Sequence, residues 1–207
     1  MAKLPYTPTK GNLLKLLEEF DFAKEGFKLL DEKKKVLTAE IMKIISDAKE
    51  LRIKFNKKLD EIHELFYKVQ IYNGSRKLHF IGLARRDEAK LKVLERSFMG
   101  VIYPTFKFDI NISRTHSLLN TSSFLDEFLI QGKEFTELMI KLIEVETKLF
   151  RMGSELKKLL KRVNALEYIH LPQYRETIKF IEETLEEMDR EEFYLRKILK
   201  RKGNEQN

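Results

Sequence analysis

The chain has no cysteine and no tryptophan, and its 207 residues include only 8 glycines, 4 prolines and 4 histidines. Without cysteine there can be no disulfide, thiolate metal site or cysteine nucleophile, a composition that suits a reducing compartment; a cytoplasmic location is expected. So few glycines and prolines leave little turn chemistry for a sandwich, a barrel or a doubly wound sheet, and long uninterrupted elements are expected instead. Nowhere do about 18 uncharged apolar residues run together, and the opening Met1-Ala2-Lys3-Leu4-Pro5-Tyr6-Thr7-Pro8 has no apolar signal core, so neither a membrane span nor direct membrane insertion is expected. Glycine-rich phosphate loops, G-x-G-x-x-G, G-x-S-x-G and H-E-x-x-H are all missing. No cofactor and no catalytic residue is expected.

What is present is charge and period. Apolar residues make up 43% and charged residues 35%, so much of the chain must be solvated surface. From Leu13 the apolar residues recur in steps of three and four: Leu16, Phe20, Ala23, Phe27, Leu30, Leu37, Ile41, Ile44, Ala48, Leu51, Phe55, Ile62, Leu65 and Val69, with Lys34 and Lys58 off pattern. A period of 3.5 held this long keeps one stripe against one partner and imposes a left-handed supercoil. Thr7 or Thr9 suits the N-cap and Asn73-Gly74-Ser75 the stop.

A second stripe runs through Phe124, Phe128, Phe135, Leu138, Leu142, Val145, Leu149, Met152, Leu156, Leu159, Val163 and Leu166, with Gln131 off pattern. After His170 and Pro172 it resumes one position later, at Ile178, Ile181, Leu185, Met188, Leu195 and Leu199, with Glu192 polar. Proline lacks the N–H and crowds the preceding turn, so a local bend is expected near Pro172, with the helix continuing beyond it.

Between the stripes the period changes to two. Ala89, Leu91 and Val93 alternate with charged residues, Phe106-Lys107-Phe108-Asp109-Ile110-Asn111-Ile112 alternates again, and Met99-Gly100 lies between. A β-hairpin is expected, with Pro104 at an edge or a bulge, and a short helix over 78–84. A lone hairpin is marginal in water, so it must pack on the helices or on another chain. The expected fold is mainly α: a long antiparallel two-helix coiled coil of the N- and C-terminal helices, with a small central head containing a β-hairpin. The expected division is 1–72 for the first helix, 73–119 for the head and 120–207 for the second helix with its basic tail. Helices of these lengths would extend roughly 90 to 120 Å, a rod with both termini at one end.

The net charge of +7 suits an acidic protein, a nucleic acid or a membrane surface, and it is concentrated from Arg196 to Lys202. Few aromatics interleave with those charges, and Glu183 to Glu192 keep the same helix mixed in sign, so no nucleic-acid partner is expected. Asp60-x-x-His63 and Glu167-x-x-His170 resemble the carboxylate–histidine pairs of bundle di-metal sites, but those sites take further carboxylates from two more helices, so no metal is expected. Phe22, Leu29 and Val36 repeat every seven residues off the seam, and Leu17, Ile45, Leu59 and Phe66 broaden the flank. Such a face fits either a wider intramolecular seam or surrounding subunits.

Three segments carry a resemblance: Arg162-Val163-Asn164-Ala165-Leu166-Glu167 with Pro172, Ile178, Ile181, Leu185-Glu186-Glu187 and Asp189-Arg190-Glu191; Pro8-Thr9-Lys10 with Gly26 and Leu29-Leu30; and Ser97-Phe98-Met99-Gly100-Val101-Ile102-Tyr103-Pro104. In this order they resemble the D subunit of V-type and archaeal-type rotary ATPases, the central rotor shaft. Lys161 and Leu159-Leu160 depart from that family's usual residues. The resemblance implies a non-catalytic shaft that transmits torque, its paired termini inside a hexamer of catalytic and non-catalytic subunits and its head against the small F subunit and the socket subunit above the membrane ring. It would be peripheral to the membrane through the complex. It implies hexamer contacts at Lys10, Arg162, Asn164, Glu167, Arg196, Lys197, Lys200 and Arg201, and head contacts at Met99, Val101, Tyr103 and Phe106. A coiled-coil adaptor or tether outside any motor would show the same heptads, but would need neither the C-terminal signature nor the hairpin.

Overall fold

In a computed structural model of the chain, the described residues are 5–84, 88–111 and 122–204; the side chains of 84, 88, 110–111 and 201–204 are outside that description. The elements in chain order are α1 (Lys10–Asn73), α2 (Ser75–Ala84), β1 (Glu88–Phe98), β2 (Val101–Asn111) and α3 (Ser123–Ala165), then a π turn (Leu166–His170) and α4 (Leu171–Asn204). Two long helical stretches therefore flank a central hairpin in the chain, as the two stripes and the change of period imply. The expected strand residue Ile112 lies outside the described residues. The chain divides into two compact units, one of residues 1–35 and 157–207, the other of residues 36–156.

In the first unit Thr9 caps α1, its hydroxyl accepting the Asn12 N–H at 3.2 Å, and Thr7 accepts the Asn12 side-chain amide at 2.9 Å. Both candidate threonines thus hold the helix start, and Thr9 is the cap proper. Leu16, Ile178 and Ile181 form the buried core, flanked by Tyr6, Leu13, Phe20, Tyr174 and Leu185. The Tyr6 hydroxyl donates to both oxygens of Glu19, at 3.2 and 3.3 Å, and Tyr174 bonds the same carboxylate. Further along α1, Asp31 pairs with Lys34 and Lys35, and hydrogen bonds from these lysines hold its carboxyl below the ordinary range. Lys34, off pattern in the stripe, is therefore charge-paired where it stands.

The change of phase at His170 and Pro172 has a definite backbone cause. The Leu171 N–H donates to the carbonyl of Leu166, five residues back where an α-helix reaches four. Pro172 has no N–H, and in α geometry its ring would press on the Tyr168 carbonyl; the wider turn relieves that clash. One extra residue in a turn rotates everything after it by about 100°, which is why the seam resumes one position later. Leu171, Tyr174 and Leu185 are half-buried and Ile178 and Ile181 are buried, as that shift requires.

The expected stripe fails at its end. Met188, Leu195 and Leu199 are exposed. α1 begins at Lys10, whose ammonium pairs with Asp189 at 3.1 Å, so α4 beyond that point has no α1 beside it. Periodicity alone cannot register that the partner helix has run out.

In the second unit α1 and α3 run antiparallel, with aromatic pairs marking the register: Phe55 on Phe135 at 5.0 Å, Phe66 on Phe128 at 5.6 Å and Tyr72 on Phe124 at 5.1 Å between ring centroids. Such pairs contribute about 0.5–1.5 kcal/mol each beyond the area they bury. Lys58, the other break in the first stripe, reaches across to Glu134 at 3.2 Å, and Arg52 pairs with Glu146 at 3.3 Å. Gly74, at φ +73°, ends α1 in the left-handed conformation. The Asn73 side chain donates to the Ser122 hydroxyl at 2.7 Å and accepts the Ser122 N–H at 3.2 Å, tying the end of α1 to the start of α3.

Candidate functional site

The hairpin is built by a two-residue turn. Met99 at φ 51° and Gly100 at φ 80° are both left-handed, the geometry of a type I′ turn, which matches the twist of the flanking strands. Pairing is antiparallel and unbroken from Phe98↔Val101 to Glu88↔Asn111, so Pro104, opposite Glu95, is accommodated without a bulge in this two-stranded sheet.

Among the described residues it is β2 that packs down. Val101 is buried, while Tyr103, Thr105, Phe106 and Phe108 are half-buried. The Phe106 N–H donates to Glu144 Oε2 of α3 at 3.0 Å, and the Lys148 ammonium lies 5.2 Å from the centre of the Tyr103 ring. Lys148 also pairs with Glu40 of α1 at 3.0 Å, so one cation connects helix, helix and hairpin. A charge-assisted bond to a backbone donor is about twice as strong as a neutral one. The expectation that the hairpin packs on the helices is met through β2. Leu91, Val93 and Leu94 of β1 are exposed, as are Met99 and Ile102. Of the four head residues singled out in the sequence, Met99 alone presents an open side chain; Val101 is buried, and Tyr103 and Phe106 take part in the dock on α3.

The other set lies in the first unit. Arg162, Asn164 and Glu167 are exposed beside buried Val163, around the start of the π turn. Lys10 is exposed and bound to Asp189; Arg196 pairs with Glu192 one turn earlier; Lys197 and Lys200 lie on the same stretch of α4. The side chain of Arg201 lies outside the described residues. That stretch also exposes Phe193, Tyr194, Leu195 and Leu199, so its basic end is an apolar one as well. Off the seam, Phe22 and Leu29 are 80% and 67% exposed, and Leu17, Val36 and Phe66 are exposed too, whereas Ile45 and Leu59 are half-buried. The wider-seam reading accounts for Ile45 and Leu59, and for Phe66 through its ring contact with Phe128.

Some polar residues were illegible in the sequence: Tyr6, Glu19 and Tyr174 at one place, Glu40, Glu144 and Lys148 at another. Glu144 and Lys148 are spaced as an intrahelical i, i+4 pair, which is the simplest reading of such residues, yet each reaches off its helix. Among the described residues no group of three His, Cys, Asp or Glu could hold a metal ion, and both His63 and His170 are exposed. No described helix is long and apolar enough to cross a membrane.

Comparison with known proteins covers almost all of this architecture at once. The family model of the ATP synthase D subunit matches residues 12–201. The D subunit of the A-type ATP synthase of Pyrococcus abyssi is 37% identical over 201 residues, spanning 95% of this chain and 94% of its own length. That of Thermococcus gammatolerans is 35% identical over 197 residues, with 93% and 92% covered. The D subunit of the V-type ATP synthase of Thermotoga neapolitana is 31% identical over 196 residues, with 94% and 97% covered.

Proposed function

The chain belongs to the family of ATP synthase D subunits, and from that premise we propose that it is the central shaft of a rotary ATP synthase of the A or V type, carrying torque between a catalytic hexamer and a membrane ring. The observation that carries the reading is the extent of the similarity: it takes in both long helices and the hairpin, in order and nearly end to end. A tether outside a motor would share the heptads alone.

On this reading the chain does no chemistry itself. A shaft needs stiffness, two docked ends and a cross-section that differs from face to face. Stiffness comes from the unbroken α1 and from the salt-bridged, aromatic-paired seam. Faces differ because Phe22 and Leu29 stand outside the seam and because the π turn rotates the seam itself. The division 1–72, 73–119 and 120–207 then separates two shaft helices from a head. The exposed apolar and basic end of α4, with Lys10, Arg162, Asn164 and Glu167, suits the alternating catalytic and non-catalytic subunits of the hexamer. Met99 and the open strand β1 suit the small F subunit, and the socket subunit completes the head end. The protein would sit at the membrane only through these partners.

Co-expression with the hexamer and F subunits tests this directly. The intact chain should co-purify with both, and reversing charge at Arg196, Lys197 and Lys200 should lower ion-coupled ATPase activity while leaving the helical spectrum unchanged. Failure to co-purify, or full coupling in the reversed variant, would refute the assignment of that end.

A further inference from the structure

The side chains of α3 that dock the hairpin have a second use for one another. Glu144 accepts the Phe106 N–H at 3.0 Å, and Lys148 lies 5.2 Å from the centre of the Tyr103 ring while pairing with Glu40 of α1 at 3.0 Å. Glu144 and Lys148 stand one turn apart on α3, glutamate before lysine, the order in which an i, i+4 pair on a helix is most favourable. With the hairpin docked, Glu144 is drawn to β2 instead, and Lys148 to Tyr103 and Glu40.

The dock also carries a defect. Thr105 shares one face of β2 with Val101 and Tyr103, since alternate residues of a strand point to the same side. Its hydroxyl is buried and finds no hydrogen-bond partner among the described residues. A buried hydroxyl without a partner penalises the state that buries it, and the penalty disappears when water reaches the group. Phe106 stands on an edge of a two-stranded sheet, so its N–H would likewise turn to water on leaving Glu144. Release therefore strands none of these groups: Thr105 and Phe106 become hydrated, and Glu144 and Lys148 fold back on each other.

We propose that the hairpin is a two-position latch, docked on α3 through Glu144 and Lys148 and released when those two side chains pair with each other. Glu40 sets the balance between the positions. By holding Lys148 from α1 it keeps the cation off Glu144 and leaves that carboxylate to the Phe106 N–H. Release carries Met99 and the exposed β1 residues Leu91 and Val93 away from α3, so the open side of the head is presented in two positions. The latch is a property of the chain by itself and does not depend on the shaft reading.

The test uses the full chain, spin-labelled at Met99→Cys and Lys133→Cys, both exposed positions in a chain that has no cysteine of its own. Electron–electron distance measurement should resolve two populations, and amide exchange over β2 reads the balance between them. Thr105→Val removes the hydroxyl and keeps the shape, so it should favour the docked population and slow β2 exchange about tenfold. Glu40→Gln, at a residue paired with α3, should favour the released population and speed β2 exchange about twofold or more, with exchange around the Phe55–Phe135 pair unchanged. A single distance in the parent and both variants, or β2 exchange that Thr105→Val leaves unchanged or speeds, would overturn the latch. Faster exchange throughout α1 and α3 in the Glu40→Gln chain would overturn it as well, by showing a general loosening of the seam.

Discussion

Deleting Ile169 from the π turn leaves four residues where five stand and lets α3 run into α4 as a continuous α-helix. Everything after the deletion rotates back by about 100°. Ile178 and Ile181 then leave the seam against Leu16. These three side chains are at 8%, 0% and 0% exposure, and each is worth about 1.5–3 kcal/mol when fully buried, so the loss is roughly 4–9 kcal/mol. Pro172 adds about 3 kcal/mol as its ring meets the carbonyl of Glu167, which the deletion brings to four residues before it. Against a typical stability of about 5–15 kcal/mol, that opens the α1–α4 pairing. The substitution Ile169→Ala keeps the residue count and alters a side chain that is 49% exposed, so it should stay within about 0.5 kcal/mol of the parent. Hydrogen exchange over residues 12–20 and 174–185, with urea unfolding followed by circular dichroism, reads the difference. Native-like protection in the deletion chain, with stability close to the parent's, would refute the claim that the π turn sets the register of α4.

Met99 sits at φ 51° without the freedom of glycine, so Met99→Asn or Met99→Gly should stabilise the hairpin by about 0.5–1 kcal/mol, visible as slower amide exchange in β1 and β2; faster exchange would contradict the turn geometry. Glu144→Ala removes the acceptor of the Phe106 N–H and should cost about 1–2 kcal/mol, lost locally as β2 protection with the α1–α3 aromatic pairs intact, whereas unaltered β2 exchange would show that the hairpin docks without it. The Tyr6 hydroxyl is pushed above its ordinary 10.0 chiefly by the charge of Glu19, and Tyr174 chiefly by burial and then by Glu19. The folded chain keeps these protons after the unfolded chain has released them, so their contribution is complete below about pH 10 and is lost as pH rises through the folded values. Melting temperature against pH should therefore fall less steeply above that point in a Tyr6→Phe, Tyr174→Phe variant, and an identical slope would show that the pair contributes nothing to the alkaline loss of stability.

How much of this could be read from residues follows from which interactions are periodic. Every member of the first stripe from Leu13 to Val69 that is large and apolar faces the seam in the fold, because a heptad states its own partner face. The hairpin turn was equally legible, since Met99-Gly100 lies between two runs of period two. The one-residue slip after His170 and Pro172 was visible, but not its cause: proline at 172 announces a disturbed turn, and only backbone geometry shows that the turn widens upstream over Leu166–His170. Leu125 and Thr177 are buried although neither was assigned to a seam, the first lying beside Phe124 in the second stripe and the second polar, its hydroxyl returned to the Gln173 carbonyl at 2.7 Å. Met188, Leu195 and Leu199 fit the period and are exposed, because a period in one helix carries no record of where the other helix starts. The clamp of Tyr6 and Tyr174 on Glu19 joins residues far apart in sequence, with no local pattern to announce it.

Rotation tests the shaft reading most directly. With the hexamer fixed to a surface and, in a complex assembled without the F subunit, a bead attached to Met99→Cys of this chain, ATP should drive the bead in unidirectional steps; ATP hydrolysis by the assembled complex with the bead stationary would contradict it.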